Sequence, residues 1–176
     1  MSTAAIVIDN FLSTDKWNTI QSGINSYFNS AVYMEERNSL HTQINGWIED
    51  KLKELNLWQT SWKDEIPLFS SINVGTPVVD RESSGESGGY HVESGGYILY
   101  IHPTWDASWG GHLKFKDCDV EKIEPTPNRF VWVNPKIWHG IEVFNNTATT
   151  NRITVVAWPS GTVEYPSADL IINTSV

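Results

Sequence analysis

The chain has 176 residues, with 12 Lys and Arg against 21 Asp and Glu, so its formal net charge at pH 7 is −9. A chain of this length is expected to form one domain with a substantial core. The negative charge repels nucleic-acid phosphates and anionic lipids, and no run of about 18 apolar residues is present, so we expect neither a nucleic-acid nor a membrane partner.

Cysteine usage and the first residues give an expectation about the compartment. Cys118 is the only cysteine, which excludes an intramolecular disulfide and fits a reducing compartment. The opening MSTAAIVIDNFLS has no basic region followed by a long apolar run. We therefore expect a cytoplasmic protein, and the sequence leaves its oligomeric state open.

The first third of the chain predicts a strand followed by helices. AIVID is a short apolar run, and Ser13, Thr14 and Asp15 then offer N-cap oxygens. Apolar residues after this point recur at the helical spacing of three and four, at Trp17, Ile20, Ile24 and Phe28. The same period predicts a second helix from about 35 to 55. Residues 1–67 are interpreted as a support of two or three packing helices.

From about residue 68 the apolar period changes to two. The alternating segments are LFSSINV, YILYIHP, HLKF, RFVWVN, HGIEVF and RITVVAW, separated by Gly, Pro and Asn. Short alternating runs with such turns predict a sandwich or barrel of antiparallel strands. Residues 68–176 are thus interpreted as the β core of a single domain covering 1–176, and the polar VVDRESSGESGGY stretch as a loop leading into His91.

Three residues could bind a metal ion together. His91 and Glu93 are two residues apart, so on an extended segment both side chains project to one face. His139 begins the HGIEVF segment, where a sandwich can return the chain to the same cavity. Two imidazoles and one carboxylate leave open positions on a ferrous ion. A bare H-x-E is a weak pattern, and its alternative is a surface His and Glu.

The order of the motifs is more specific than any one of them. The chain carries the His-x-acid pair, an aromatic strand ending in WD, Gly-Gly before HLKF, a P-x-R-F strand, His-Gly, and an Arg opening the last strand. Over about residues 85–158 it resembles the prolyl-4-hydroxylase-like Fe(II)/2-oxoglutarate-dependent dioxygenases. This resemblance implies a mainly β fold, the double-stranded β-helix, which is a jelly-roll or cupin-like barrel with the metal at one mouth.

The resemblance also assigns roles to residues. His91, Glu93 and His139 occupy the iron-ligand positions, and Arg152 the position that pairs with the distal carboxylate of 2-oxoglutarate. A guanidinium matches a carboxylate with two parallel hydrogen bonds, and a buried charge needs an anionic partner. Thr154 is two residues further along the strand, so it faces the same side. Tyr100 falls where the family often places a phenol, with an ordinary buried tyrosine as the alternative.

The implied reaction is hydroxylation of a substrate C–H bond, coupled to conversion of 2-oxoglutarate to succinate and CO₂. The cofactors are Fe(II), 2-oxoglutarate and O₂, with ascorbate as a further candidate. The substrate is left open between a prolyl residue, another residue of a peptide or protein, and a small molecule. Two departures bear on this: Glu93 stands where many members have Asp, and Arg81 where the family often has Tyr.

The other histidines and the arginine before RFVWV have simpler interpretations. His41 is predicted to be a solvated residue on a helix, and His102 to be structural. His112 is assigned a structural role in preference to contact with substrate, and Arg129 is interpreted as a structural charge at the start of a strand.

Two other classes of protein remain open. One is a cupin-type metal-binding barrel acting as a hydrolase or isomerase without 2-oxoglutarate, which leaves the charge of Arg152 unexplained. The other is a jelly-roll module that binds carbohydrate through tryptophans, with His91 and Glu93 incidental. The tryptophans considered for this role are Trp105, Trp109, Trp132, Trp138 and Trp158.

Overall fold

A computed structural model describes residues 4–29, 34–75, 90, 92, 96–143 and 147–158. The predicted metal ligands His91 and Glu93 lie outside these residues, as does Arg81 with the polar loop around it. Within the described part, no helix is both long enough and apolar enough to cross a membrane.

The N-terminal part contains one strand and three helices, whose bounds are β1 Ala5–Ile8, α1 Thr14–Asn29, α2 Met34–Glu54 and α3 Trp62–Phe69. The strand and the first two helices agree with the sequence prediction to within one or two residues at each end. The predicted apolar stripes are buried, since Ile20 and Ile24 of α1 and Ile44 and Ile48 of α2 are at most 5% exposed.

The strands form two antiparallel sheets. The larger sheet has the order β1-β6-β3-β8-β2, with β2 Ser70–Gly75, β3 Tyr97–Tyr100, β6 Phe130–Val133 and β8 Arg152–Ala157. The smaller sheet has the order β5-β4-β7, with β4 Leu113–Phe115, β5 Lys122–Ile123 and β7 His139–Ile141. The five segments predicted after LFSSINV each contain one of these strands, whereas β5 was not predicted because two residues show no alternation.

The two faces of the larger sheet contact different partners. On one face, Leu99, Phe130 and Val155 belong to a buried cluster that also contains apolar residues of all three helices. On the other face, Ile98, Tyr100, Val131 and Val156 pack in a second cluster with Leu113 and Phe115 of the smaller sheet. Alternation along each strand therefore separates a helix-covered face from an inner face between the two sheets.

The turn before β6 connects the N-terminal segment to the sheet. The Asn128 side chain accepts from the Leu12 N–H at 3.0 Å and donates to the Leu12 carbonyl at 2.9 Å. Arg129 donates to both carboxylate oxygens of Asp9, at 2.5 and 2.9 Å. The structural interpretation of Arg129 is therefore confirmed.

The predicted fold class is confirmed in its main features, since the described residues form antiparallel sheets supported by three helices. The stretch interpreted as helical support also supplies β1, which pairs with β6 at one edge of the larger sheet. In the described part the two sheets do not close into a continuous barrel.

Candidate active site

Only one of the three predicted metal ligands, His139, lies in the part of the chain that the structure describes. The described neighbours of the other two, Tyr90 and Val92, are 42% and 45% exposed. Among the described residues no three His, Cys, Asp or Glu side chains are grouped closely enough to hold a metal ion. The metal site therefore depends on residues 91 and 93, and its ligand set stays a prediction.

His139 is oriented as a metal-binding imidazole would be. It begins β7, is 2% exposed, and its Nδ1 lies 3.1 Å from the carbonyl oxygen of Ile137. Because a carbonyl only accepts, Nδ1 carries the proton and Nε2 keeps the lone pair. The ring also stacks on Trp158, with centroids 5.5 Å apart and planes 8° apart. A backbone hydrogen bond that fixes tautomer and ring orientation is typical of metal-bound histidine, so His139 fits Fe(II).

Arg152 places a buried positive charge on the inner face of the larger sheet. It is 7% exposed, and its Nε donates to the Gly111 carbonyl at 3.0 Å. Its Nη2 donates to the Tyr100 hydroxyl at 3.3 Å. No carboxylate within the described ranges pairs with Arg152. Since a buried charge is costly without a counter-ion, this site fits a carboxylate supplied by a ligand, such as the distal group of 2-oxoglutarate.

Tyr100 contacts this guanidinium, and Thr154 lies two residues beyond Arg152 on the same face of β8. Tyr100 is fully buried in β3 and pairs across strands with Thr154, which is 2% exposed. Burial raises the pKa of Tyr100, and the nearby Arg152 offsets only part of this rise. The phenol therefore stays neutral and can donate its proton to a further acceptor. The structure thus brings the three predicted 2-oxoglutarate contacts together.

The glycine pair before β4 has a role that the sequence analysis did not assign. Gly110 and Gly111 have φ angles of 82° and 73°, in the left-handed region that residues with a Cβ adopt only at a cost. This turn directs the Gly111 carbonyl to the Nε of Arg152. The Gly-Gly motif thereby joins the smaller sheet to the guanidinium.

His102 is structural, as predicted. Its Nδ1 accepts from the Ile153 N–H at 3.2 Å, so its Nε2 carries the proton and donates to the Pro125 carbonyl at 2.6 Å. Burial lowers the pKa of His102 to about 4, and the hydrogen bond to the Pro125 carbonyl offsets only part of the effect. The side chain therefore holds the end of β3 as a neutral imidazole.

His112 contacts a carboxylate that the sequence analysis missed. Its Nδ1 lies 2.6 Å from Oε2 of Glu142, whose Oε1 lies 3.5 Å from the ammonium of Lys122. Burial alone would raise the pKa of Glu142. The hydrogen bond and charge of His112, together with the charge of Lys122, outweigh this effect, so the pKa lies below its ordinary value. No pattern within one segment predicts this pair, because His112 and Glu142 are 30 residues apart and lie beside different strands.

The prediction for His41 is wrong. Its Nε2 lies 2.8 Å from the hydroxyl of Ser70 in β2, and Asn45 of the same helix contacts both side chains. The polar side of α2 therefore packs against the start of a strand, which helical periodicity alone does not show.

The tryptophans do not form one platform. Trp132 is fully buried on the helix-covered face of the larger sheet, and Trp158 packs with the inner cluster. Trp138 is 51% exposed at the smaller sheet. Trp105 and Trp109 are partly exposed neighbours, but their rings meet edge to face, with centroids 5.3 Å and planes 76° apart. They do not present one flat stacking face, so the arrangement does not favour the carbohydrate-binding alternative.

Comparisons with known proteins agree with this geometry. Residues 79–160 match the family model described as the 2OG-Fe(II) oxygenase superfamily. The segment contains Tyr100, His139, Arg152 and Thr154. A search of curated proteins gave no match.

The fold is similar to that of two solved structures. A Pseudomonas putida prolyl-4-hydroxylase is 13% identical, with 90% of this chain and 88% of that chain covered and a TM-score of 0.52. A prolyl hydroxylase from Trichoplax adhaerens, in complex with a hypoxia inducible factor oxygen degradation domain peptide fragment, is 12% identical. There the coverage is 90% of this chain and 84% of that chain, and the TM-score is 0.57.

The resemblance predicted from the sequence motifs is therefore confirmed. Over residues 79–160 the chain is similar to the 2OG-Fe(II) oxygenases, and its fold is that of the prolyl hydroxylases. Similarity to this family implies a dioxygenase that uses Fe(II), 2-oxoglutarate and O₂.

Proposed function

We propose that the protein is an Fe(II)- and 2-oxoglutarate-dependent dioxygenase that hydroxylates a residue, foremost a prolyl residue, of a peptide or protein. The observation that carries this proposal is the buried guanidinium of Arg152, which contacts Tyr100 and Gly111 and has no carboxylate partner in the described part of the chain. It lies in the segment that matches the oxygenase family.

In this proposal His91, Glu93 and His139 hold the iron. Bound Fe(II), with 2-oxoglutarate and O₂, supplies the oxidising chemistry, which converts 2-oxoglutarate to succinate and CO₂ and adds one oxygen atom to the substrate. Because His139 donates from Nδ1 to the Ile137 carbonyl, the ring is neutral and the lone pair on its Nε2 is the one that would bind the iron. Glu93 supplies the anionic oxygen, one methylene further from the backbone than Asp.

The protein's part in cosubstrate binding is to orient a dicarboxylate on the inner face. Arg152 offers its remaining N–H groups to the distal carboxylate, while Gly111 and Tyr100 fix the plane of the guanidinium. Tyr100 and Thr154 are buried, so their hydroxyls donate to this carboxylate where bulk water does not compete.

The substrate class rests on surface chemistry and on the relatives. Tyr90, Val92 and Trp138 are adjacent in sequence to the proposed ligands and are exposed, and such apolar surface suits an extended peptide. One structural relative is a prolyl-4-hydroxylase and the other was solved with a peptide fragment bound.

Ascorbate enters the proposal as an auxiliary reductant that keeps the iron ferrous. A cupin-type enzyme without 2-oxoglutarate leaves the buried charge of Arg152 without a function.

The proposal is tested by measuring succinate release and peptide mass together. Proline-containing peptides are incubated with the protein, Fe(II), ascorbate and 2-oxoglutarate in air. We expect one succinate for each oxygen atom added to the peptide, and no product with His139→Ala. The matched control is Lys136→Gln, an exposed position on the loop before β7, which should keep wild-type turnover. Succinate release without peptide oxidation across such peptides would contradict the peptide substrate.

A further inference from the structure

A cavity of about 550 Å³ lies along the smaller sheet. The residues that matter for its chemistry are Trp109, His112, Lys114, Lys122, Ile141 and Glu142. Lys114 alternates with Leu113 and Phe115, whose side chains are buried in the inner cluster. Lys114 therefore projects to the outer face. His112 directly precedes β4 and Glu142 directly follows β7, and both line the same cavity. We call this space the lysine cavity.

Two positive charges face each other in the lysine cavity. Lys114 and Lys122 are direct cross-strand partners of β4 and β5. Like charges at such positions repel and destabilise the pairing. Among the described residues, the Lys and Glu side chains that line the cavity are these two lysines and Glu142. The cavity is therefore positive within a chain whose formal net charge is −9.

The carboxylate of Glu142 is already engaged. His112 binds its Oε2 and Lys122 lies near its Oε1, and together these neighbours hold the pKa of Glu142 below its ordinary value despite partial burial. Glu142 thus stays ionised and compensates Lys122. Lys114 instead lies over the ring of Tyr90, with Nζ 4.9 Å from the centroid, and none of the described carboxylates pairs with it. Lys114 is the group left to bind an anion.

The lysine cavity adjoins the elements that carry the proposed active site. His112 follows Gly111, whose carbonyl accepts from Arg152. Glu142 is three residues beyond His139, and Tyr90 directly precedes His91. Trp109 and Ile141 add apolar walls to the cavity. A ligand bound here would lie beside the strands that position the iron and the cosubstrate.

We propose that the lysine cavity binds a carboxylate of the substrate through Lys114, with Lys122 in support, and that this carboxylate is an acidic side chain of the peptide. This inference rests on the proposed function, and it names the substrate class as acidic peptides. A free small organic acid would present the same carboxylate, and the competition experiment below distinguishes it from an acidic side chain of a peptide.

Binding is measured without turnover. Fluorescently labelled, end-capped peptides with one proline flanked by glutamates are compared with their glutamine counterparts, by anisotropy, on anaerobic protein loaded with Fe(II) and 2-oxoglutarate. We expect the wild type to bind the glutamate peptides about tenfold more tightly. Lys114→Gln should abolish this preference and Lys122→Gln should reduce it. Lys136→Gln removes an exposed lysine outside the cavity and should leave the preference intact.

Two results would overturn the inference: equal binding of both peptides by the wild type, or an equal loss of preference in Lys136→Gln and Lys114→Gln. N-acetylglutamate amide is added as a competitor. If this small acid competes only weakly, the ligand is an acidic side chain of a peptide. If it competes as strongly as the unlabelled peptide, the ligand is a free acid and the peptide proposal is wrong.

Succinate assays on the same preparations separate the two proposals. A glutamate preference without succinate contradicts the proposed function alone, and succinate without the preference contradicts the lysine cavity alone.

Discussion

Arg152 donates from Nη2 to the hydroxyl of Tyr100 at 3.3 Å, and its Cζ lies 5.0 Å from the centre of the Tyr100 ring. The tyrosine thus contacts the guanidinium through both its hydroxyl and its ring. This contact fixes the orientation of the guanidinium but does not neutralise its charge, because a neutral phenol is not a counter-ion. This arrangement supports the proposal that the two residues bind an anion, since they do not form a structural ion pair.

Replacing Arg152 with Gln should selectively weaken binding of ligands that carry a distal carboxylate. Loss of a charge-assisted, two-bond contact of about 3 kcal/mol corresponds to an affinity for 2-oxoglutarate about 100-fold lower. Titration calorimetry with 2-oxoglutarate and with 2-oxobutyrate, which lacks that carboxylate, measures the effect. The wild type should discriminate strongly between them and the variant hardly at all. Discrimination that is unchanged in the variant would assign the distal carboxylate to another residue.

Tyr100→Phe should lower the affinity for 2-oxoglutarate by about three- to tenfold, because one hydrogen bond to the guanidinium and one donor to the ligand are lost. Tyr97→Phe is the matched control. Tyr97 is also fully buried in β3, but its hydroxyl lies on the helix-covered face, 3.4 Å from Asn45. Calorimetry should show weaker binding in the first variant only. Equal effects of the two substitutions would indicate general loosening of β3.

The folded protein should lose stability as the pH falls from about 6.5 to about 4. The pKa of His102 is about 4 in the folded state, against an ordinary value of 6.5, so the unfolded state binds more protons between these values. This group alone lowers the free energy of unfolding by about 3 kcal/mol across that range. Urea unfolding at several pH values measures the slope. In His102→Gln the slope should shrink, and an unchanged slope would mean that other groups cause it.

Asn128→Ala should destabilise the protein by about 2–4 kcal/mol. Two hydrogen bonds to the backbone of Leu12 are lost, and Ala is disfavoured at the φ of 60° that Asn128 adopts. Asn128→Gly loses the same bonds but tolerates this φ, so it should be less harmful. Thermal and urea unfolding give both values. If Gly proves more destabilising than Ala, the backbone part of this explanation is incorrect.

The sequence predicted the features that depend on local pattern. The helices α1 and α2 follow from a period of three to four, and the shared face of Arg152 and Thr154 follows from a period of two. Tyr100 beside them was expected only from the family resemblance, because cross-strand register is not visible in one sequence.

Register and packing explain what was missed. The contact from Arg152 to the Gly111 carbonyl, the pairing of Glu142 with His112, and the pairing of Lys114 with Lys122 all join residues on different strands or loops. The error at His41 has the same origin, since its hydrogen bond partner Ser70 is on another element. Helical period indicates which face is apolar, but it does not indicate what packs beside the polar face.

Anaerobic titration with Fe(II) and 2-oxoglutarate tests the central claim most directly. A protein that binds both should develop the weak visible charge-transfer band of the ternary complex, and 2-oxoglutarate should raise its melting temperature. The band should be absent in His91→Ala and His139→Ala, should require far more 2-oxoglutarate in Arg152→Gln, and should persist in Lys136→Gln. If the wild type gives no band and 2-oxoglutarate does not change its melting temperature, the protein is not a 2-oxoglutarate-dependent oxygenase.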